Sequence, residues 1–193
     1  MAYEERPAAS EALYRERDAA GFLLGKDDAI ARDEHFMRLA LEQARLAAHE
    51  GEVPIGAVVA CQGEAIAEGR NRREADRDPS AHAEFCAIMQ AARELERWRL
   101  PDCTVYVTLE PCIMCAGLMH QARIGRCVYG APDAKAGALG SLYRIHADER
   151  LNHRFEVEAG VLEQECSDVL KDFFARRRAD APASCGCDDG RKR

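Results

Sequence analysis

The chain has 193 residues, of which 47% are hydrophobic and 32% charged, with a formal net charge of −7. That suits one soluble domain with its own core and argues against a protein that coats nucleic acid non-specifically. No apolar run approaches the roughly 18 residues of a membrane helix, and "MAYEERPAAS" has no charged region leading into an apolar one, so no signal peptide is expected and the protein is assigned to the cytoplasm.

Residues 1–33 are rich in Ala, Glu, Asp and Arg, with little apolar periodicity beyond "GFLLG". They read as a mobile, partly helical N-terminal extension. Asp33 is a candidate N-cap for a first helix over about 34–50, which carries Phe36, Leu39, Ala40 and Ala47 at helical spacing and stops at Gly51. "VPIGAVVACQGEAIAEGRN" reads as a hairpin, with strands at 54–60 and 64–69 around Gln62-Gly63. A helix is expected over 81–97, then a nearly unbroken apolar strand, "CTVYVTL", of the kind covered on both faces. A helix to about 122, a strand at 126–130, a Gly-rich loop at 131–141, a strand in "RFEVEAG" and a final helix over 161–178 complete the domain, residues 34–180. Helices alternating with strands after an opening hairpin predict an α/β/α sandwich on a mixed five-stranded sheet. Residues 181–193 form a tail containing Cys-Gly-Cys.

Nine cysteines are many for a compartment that keeps thiols reduced, and their spacing does not suggest a disulfide framework. Cys112 and Cys115 in "TLEPCIMCAGLM" sit at i and i+3 in the first turn of a helix. There the unpaired amides and the dipole favour thiolates. Two such thiolates are half of a tetrahedral zinc site. "PSAHAEFCA" supplies His82 at the start of the preceding helix, which in a βα fold lies at the same sheet edge. One His and two Cys leave a fourth position for water, the catalytic arrangement. Glu84, two residues from His82, can serve as the proton shuttle. A structural Cys3His site including Cys86, four residues from His82, and a redox C-x-x-C pair are the alternatives. The joint pattern H-x-E with P-C-x-x-C is the signature of zinc-dependent nucleobase deaminases.

From about residue 34 to 180 the chain resembles the cytidine-deaminase-like superfamily, and within it the bacterial tRNA adenosine deaminases. The resemblance runs through "EVPIGAVV", "GRN", "DPSAHAE", "TLEPCIMCAGLM", "ARIGRCVYGAPDAKAGALGS", "LNHRFEVEAGVLEQEC" and "LKDFFARRR". It implies one zinc ion per chain, held by His82, Cys112 and Cys115. It also implies conversion of adenosine to inosine at the wobble position of a tRNA anticodon stem-loop, by a homodimer. Asn71 would bond the flipped nucleoside, and Val53, Pro54, Ala83 and Leu109 would line its pocket. Asp133 and Lys135 would sit in a loop near the RNA, and Phe173, Phe174, Arg177 and Arg178 would contact flanking nucleotides or phosphates. For Asn71 a turn role, for the phenylalanines core packing, and for the arginines a solvated helix end are the ordinary readings. A deaminase of a free base or small nucleotide shares the same metal motif, and a zinc-stabilised RNA-binding protein is the non-enzymatic alternative.

Overall fold

A computed structural model describes residues 26–180. The tail at 181–193 and most of the expected extension, including "GFLLG", lie outside the described residues.

Helix α1 (Lys26–His49) starts eight residues earlier than the sequence suggests, with Asp27 and Asp28 in its first turn, where a helix dipole favours acids. It buries Phe36, Met37, Ala40, Leu41, Ala44 and Ala47 along one stripe. Asp33 is therefore not a cap. It lies within α1, only 5% exposed, and bonds across the sheet layer to Tyr106 and Arg126.

The hairpin forms as expected, from β1 (Gly56–Cys61) and β2 (Glu64–Arg70). Gln62 and Gly63 both have positive φ, 53° and 84°, which matches the turn's twist to that of the strands. A short helix α2 (Arg73–Asp76), too short to show periodicity, precedes α3 (Ala83–Glu94). Then follow β3 (Cys103–Leu109), α4 (Ile113–Ala122), β4 (Arg126–Ala131), a 3₁₀ turn (Ile145–Ala147), β5 (Glu156–Ala159) and α5 (Glu163–Asp180).

The sheet order is β2-β1-β3-β4-β5. β1 is antiparallel to both β2 and β3, and β4 is parallel to both β3 and β5, so the sheet is mixed as expected. Its two faces are covered by different helices. Ala57, Val59, Val105, Val107, Cys127 and Tyr129 pack with Ala83, Ala87, Ile88 and Ala91 of α3 and Ala116 and Met119 of α4. Val58, Ala60, Tyr106 and Val128 pack with Phe36, Met37, Ala40 and Leu41 of α1 and Cys166 of α5. This alternation is why β1 and most of β3 are buried throughout, whereas the edge strands β2 and β5 expose charged residues such as Glu68, Glu156 and Glu158.

α3 lies close on β2 because Gly69 has no side chain: a Cβ there would stand 2.2 Å from the Ala83 carbonyl oxygen. That contact fixes the N-terminal turn of α3 against the sheet. No helix among the described residues is long and apolar enough to cross a membrane.

Candidate metal centre and active site

The candidate side chains enter at the starts of α3 and α4. Ahead of α3, Asp78 accepts hydrogen bonds from the Ser80 N–H and hydroxyl, both at 2.7 Å, and the Asp-Pro-Ser turn delivers His82 as an extended N-cap (φ −79°, ψ 152°). Ahead of α4, Pro111 keeps Glu110 extended at the end of β3, and Cys112 is an extended N-cap (φ −72°, ψ 173°). Neither N-cap side chain caps its own helix, so both turn toward the space between the two N-termini.

There His82 Nδ1 lies 3.7 Å from Cys112 Sγ and 3.7 Å from Cys115 Sγ. A tetrahedral zinc with Zn–S of about 2.3 Å and Zn–N of about 2.0–2.1 Å sets an N···S edge of about 3.5–3.6 Å. The three donors therefore already stand close to the separation zinc requires. Cys86 is not among them. His82 is an extended N-cap rather than part of the first turn of α3, and the charges that act on the Cys86 thiol are those of Asp76, Arg72, Asp78 and Glu84.

The electrostatics favour a bound cation. The Cys112 thiol is pulled down to about 3, chiefly by its hydrogen bond with Cys115 and, against burial, by His82. Cys115 is pushed up by the neighbouring Cys112 and by burial. His82 is raised by its bond to Cys112. Glu84 is 3% exposed, and burial raises its carboxyl above the ordinary range. Its Oε2 is buried with no hydrogen-bond partner. An orphaned carboxylate oxygen beside three metal donors is costly for folding and is what a water-activating site requires.

The profile of the MafB19-like deaminases matches residues 31–178. The chain belongs to this deaminase family. The deaminase is 46% identical over 149 residues to the tRNA-specific adenosine deaminase of Bacillus subtilis (strain 168), which covers 77% of this chain and 92% of that protein. A solved structure from a study of A-to-I editing by tRNA:A34 deaminases at the wobble position is 45% identical, with a TM-score of 0.68, covering 70% of this chain and 99% of that one. A guanine deaminase from Nitrosomonas europaea, 24% identical with a TM-score of 0.65 over 74% of this chain and 84% of its own, shares the fold.

Around this candidate centre, one sheet end gathers most of the residues expected to bind substrate. Arg72 N–H donates to Ala81 O at 3.0 Å, which sets Asn71 beside the His82 turn, and Asn71 N–H donates to Ile55 O at 3.0 Å, next to Val53 and Pro54. Ala83 follows His82, and Leu109 ends β3 shortly before Cys112. The 131–141 loop closes over the same end through Ala138 N–H to Pro111 O, 2.8 Å. Within it Asp133 Oδ1 accepts the Lys135 and Ala136 amides at 2.9 and 3.2 Å, so Asp133 shapes the loop and Lys135 is exposed.

The final helix behaves differently. α5 packs on the α1 face, away from α3 and α4. Phe173 is half-buried under the Arg177 guanidinium, 5.5 Å from its ring centroid, Phe174 is 42% exposed, and Arg178 is exposed. The alternative of core packing therefore does not hold for Phe174, whereas Val169 packs against the core and Leu170 and Phe173 are half-buried.

Two buried carboxylates escaped the sequence reading. Glu52, 1% exposed, accepts the Glu74 and Ala75 amides at 2.9 and 2.8 Å and Asn71 Nδ2 at 3.4 Å. Glu110, 2% exposed, accepts the Asp133, Leu139 and Ser141 amides, each at 3.0 Å, and the Ser141 hydroxyl. Each ties a loop of the sheet end to the frame. The available signal was a carboxylate set one or two residues before a proline within an apolar motif, "EVP" and "LEP".

Proposed function

We propose that this deaminase hydrolyses adenosine to inosine at the wobble position of a tRNA anticodon loop. The observation that carries the chemistry is the orphaned Glu84 Oε2 beside His82, Cys112 and Cys115 at near-tetrahedral spacing. The tRNA substrate rests on the kinship with tRNA-specific adenosine deaminases, 46% identical in the B. subtilis case.

His82, Cys112 and Cys115 would hold a zinc ion. When bound, it supplies the Lewis acidity that makes water a nucleophile near neutral pH. Glu84 moves the protons. Its carboxylate takes one from the water that attacks C6 of adenine, gives it to ring N1, and carries the next to the departing amine. Adenosine and water become inosine and ammonia. The raised Glu84 carboxyl suits a group that must both accept and return a proton. Asn71, held by Glu52, bonds the flipped nucleoside, and Val53, Pro54, Ala83 and Leu109 wall its pocket. An anticodon loop presents its base at little unstacking cost. Lys135, Phe173, Phe174, Arg177 and Arg178 meet the flanking RNA. The enzyme works as a homodimer in the cytoplasm, where tRNA resides. The exposure of Met89, Ile113, Leu142 and Tyr143 supports a covered face.

The net charge of −7 keeps a second reading in view, a deaminase of free bases on the same fold. One assay separates them: zinc-loaded protein with tRNA carrying a wobble adenosine, and with free adenosine, cytidine and guanine. Inosine in the tRNA is expected. Deamination of guanine alone ends the tRNA assignment.

A further inference from the structure

One other group of metal-ligating side chains converges among the described residues: Cys61, Asp102 and Cys103. Cys61 closes β1 just before the hairpin turn, and Cys103 opens β3 directly opposite it. The Cys103 N–H donates to Leu100 O at 3.1 Å, and its carbonyl accepts from Gly125 N at 3.2 Å. Both groups point away from β1, so Cys61 and Cys103 form a non-hydrogen-bonded antiparallel pair. Side chains approach most closely in such pairs.

Asp102 adds a third donor at the mouth of this pair. Its Oδ2 is 3.6 Å from Cys61 Sγ and its Oδ1 is 3.9 Å from Cys103 Sγ. A tetrahedral zinc, with Zn–S of about 2.3 Å and Zn–O of about 2.0–2.2 Å, sets an S···O edge of about 3.5–3.7 Å. Each thiol thus stands near that separation from one of the two carboxylate oxygens, and one donor atom from each of the three residues lies within 4.8 Å of the others. Two thiolates and a carboxylate around a dication leave one negative charge, and the Arg97 guanidinium that bonds Asp102 Oδ1 offsets it. The thiols are buried, at 7% and 1% exposure, but the Asp102 and Arg97 side chains are 38% and 40% exposed. A cation can thus enter from the Asp102 side and keep water as its fourth ligand.

We propose that Cys61, Asp102 and Cys103 form a second zinc site that clamps the hairpin end of β1 to the start of β3. It lies at the opposite end of β3 from the deaminase centre. The seven residues Cys103–Leu109 separate the two by about 20 Å at 3.3 Å per residue. The second ion does not touch the reacting atoms. Binding displaces both thiol protons, which burial otherwise holds in place.

The test counts metal in the full chain after loading with excess zinc and gel filtration, and repeats the count with cadmium. Wild type is expected to hold one more ion per chain than Cys61→Ser, with Asp102→Asn weakening retention of that ion at least tenfold. Cys112→Ser is expected to lose a different ion, so that zinc still raises its melting temperature, whereas the Cys112→Ser, Cys61→Ser double variant gains nothing from zinc. The tail cysteines are common to all these proteins and cancel in the differences. Equal counts for wild type and Cys61→Ser, or a wild-type chain that holds a single ion under excess zinc, would overturn the proposal without any folded variant being needed for the second outcome.

Discussion

Asp33 in α1 and Arg126 at the start of β4 meet in a two-point ion pair, with contacts of 2.8 and 2.7 Å. The pair is nearly buried, at 7% and 14% side-chain exposure, and Tyr106 donates its hydroxyl to the same carboxylate at 2.9 Å. It pins the first helix to the centre of the sheet. Removing one partner of a buried pair costs about 3–5 kcal/mol, because the other charge stays buried. Asp33→Asn should lower the unfolding free energy by about 3 kcal/mol in urea titrations, and adding Arg126→Met should restore part of it. A loss below about 1 kcal/mol would mean that α1 is held by its apolar stripe alone.

Glu110 gives a pH-dependent counterpart. Burial works to raise its carboxyl, but the hydrogen bonds from Ser141, Asp133 and Leu139 outweigh it and hold it below the ordinary value of 4.5. A depressed folded-state value stabilises the protein above about pH 4.5, and that stabilisation disappears as pH falls through the lower value. Glu110→Gln should therefore cost about 2–4 kcal/mol at pH 7, and the gap to wild type should narrow steadily below pH 4.5. A gap that stays constant down to pH 3 would show that the carboxylate charge contributes nothing to holding the 131–141 loop.

For Glu52 the expected effect is on substrate handling. Its hydrogen bond orients the Asn71 amide, so Glu52→Gln should lower kcat/KM for tRNA by roughly tenfold while leaving the ion at His82 in place. Because the two residues act through one contact, Asn71→Ala should cost much less in the Glu52→Gln background than in wild type. Fully additive losses would separate Glu52 from Asn71.

What could be read in the sequence was local. The H-x-E and P-C-x-x-C spacings place the four residues at helix starts, and alternation of strands with helices was enough for the sandwich. What could not be read was long-range. The partner of Asp33 is 93 residues away, so a helix-interior acid next to a weak apolar pattern looked like a cap. Glu52 and Glu110 bond backbone amides 22 to 31 residues away, so that beyond the nearby prolines no partner side chain marks them in the sequence. The four-residue helix α2 is too short for periodicity to reveal, and the apolar face of α5 is only half-buried at Val169, Leu170 and Phe173 and is exposed at Phe174.

The exposed end of α5 has a direct test in RNA binding. If Arg177 and Arg178 meet phosphates, changing both to Ala should weaken tRNA binding and flatten its salt dependence by roughly 0.7 per lost contact. KM for tRNA should rise more than kcat falls. Thermal stability should hardly change, since exposed charges contribute little to folding. Unaltered affinity at low salt would place the RNA elsewhere on the protein.

The central claim is that Glu84 moves protons at a metal centre formed by His82, Cys112 and Cys115. The most direct measurement is single-turnover inosine formation in a tRNA with a wobble adenosine, by wild type and Glu84→Gln side by side, with zinc content and tRNA affinity determined on the same samples. Gln keeps the shape of the side chain and removes its base. The account predicts a rate loss of at least ~10²–10⁴-fold, the usual worth of a general acid–base group, with zinc and tRNA binding unchanged. Near-wild-type inosine formation by Glu84→Gln would contradict it.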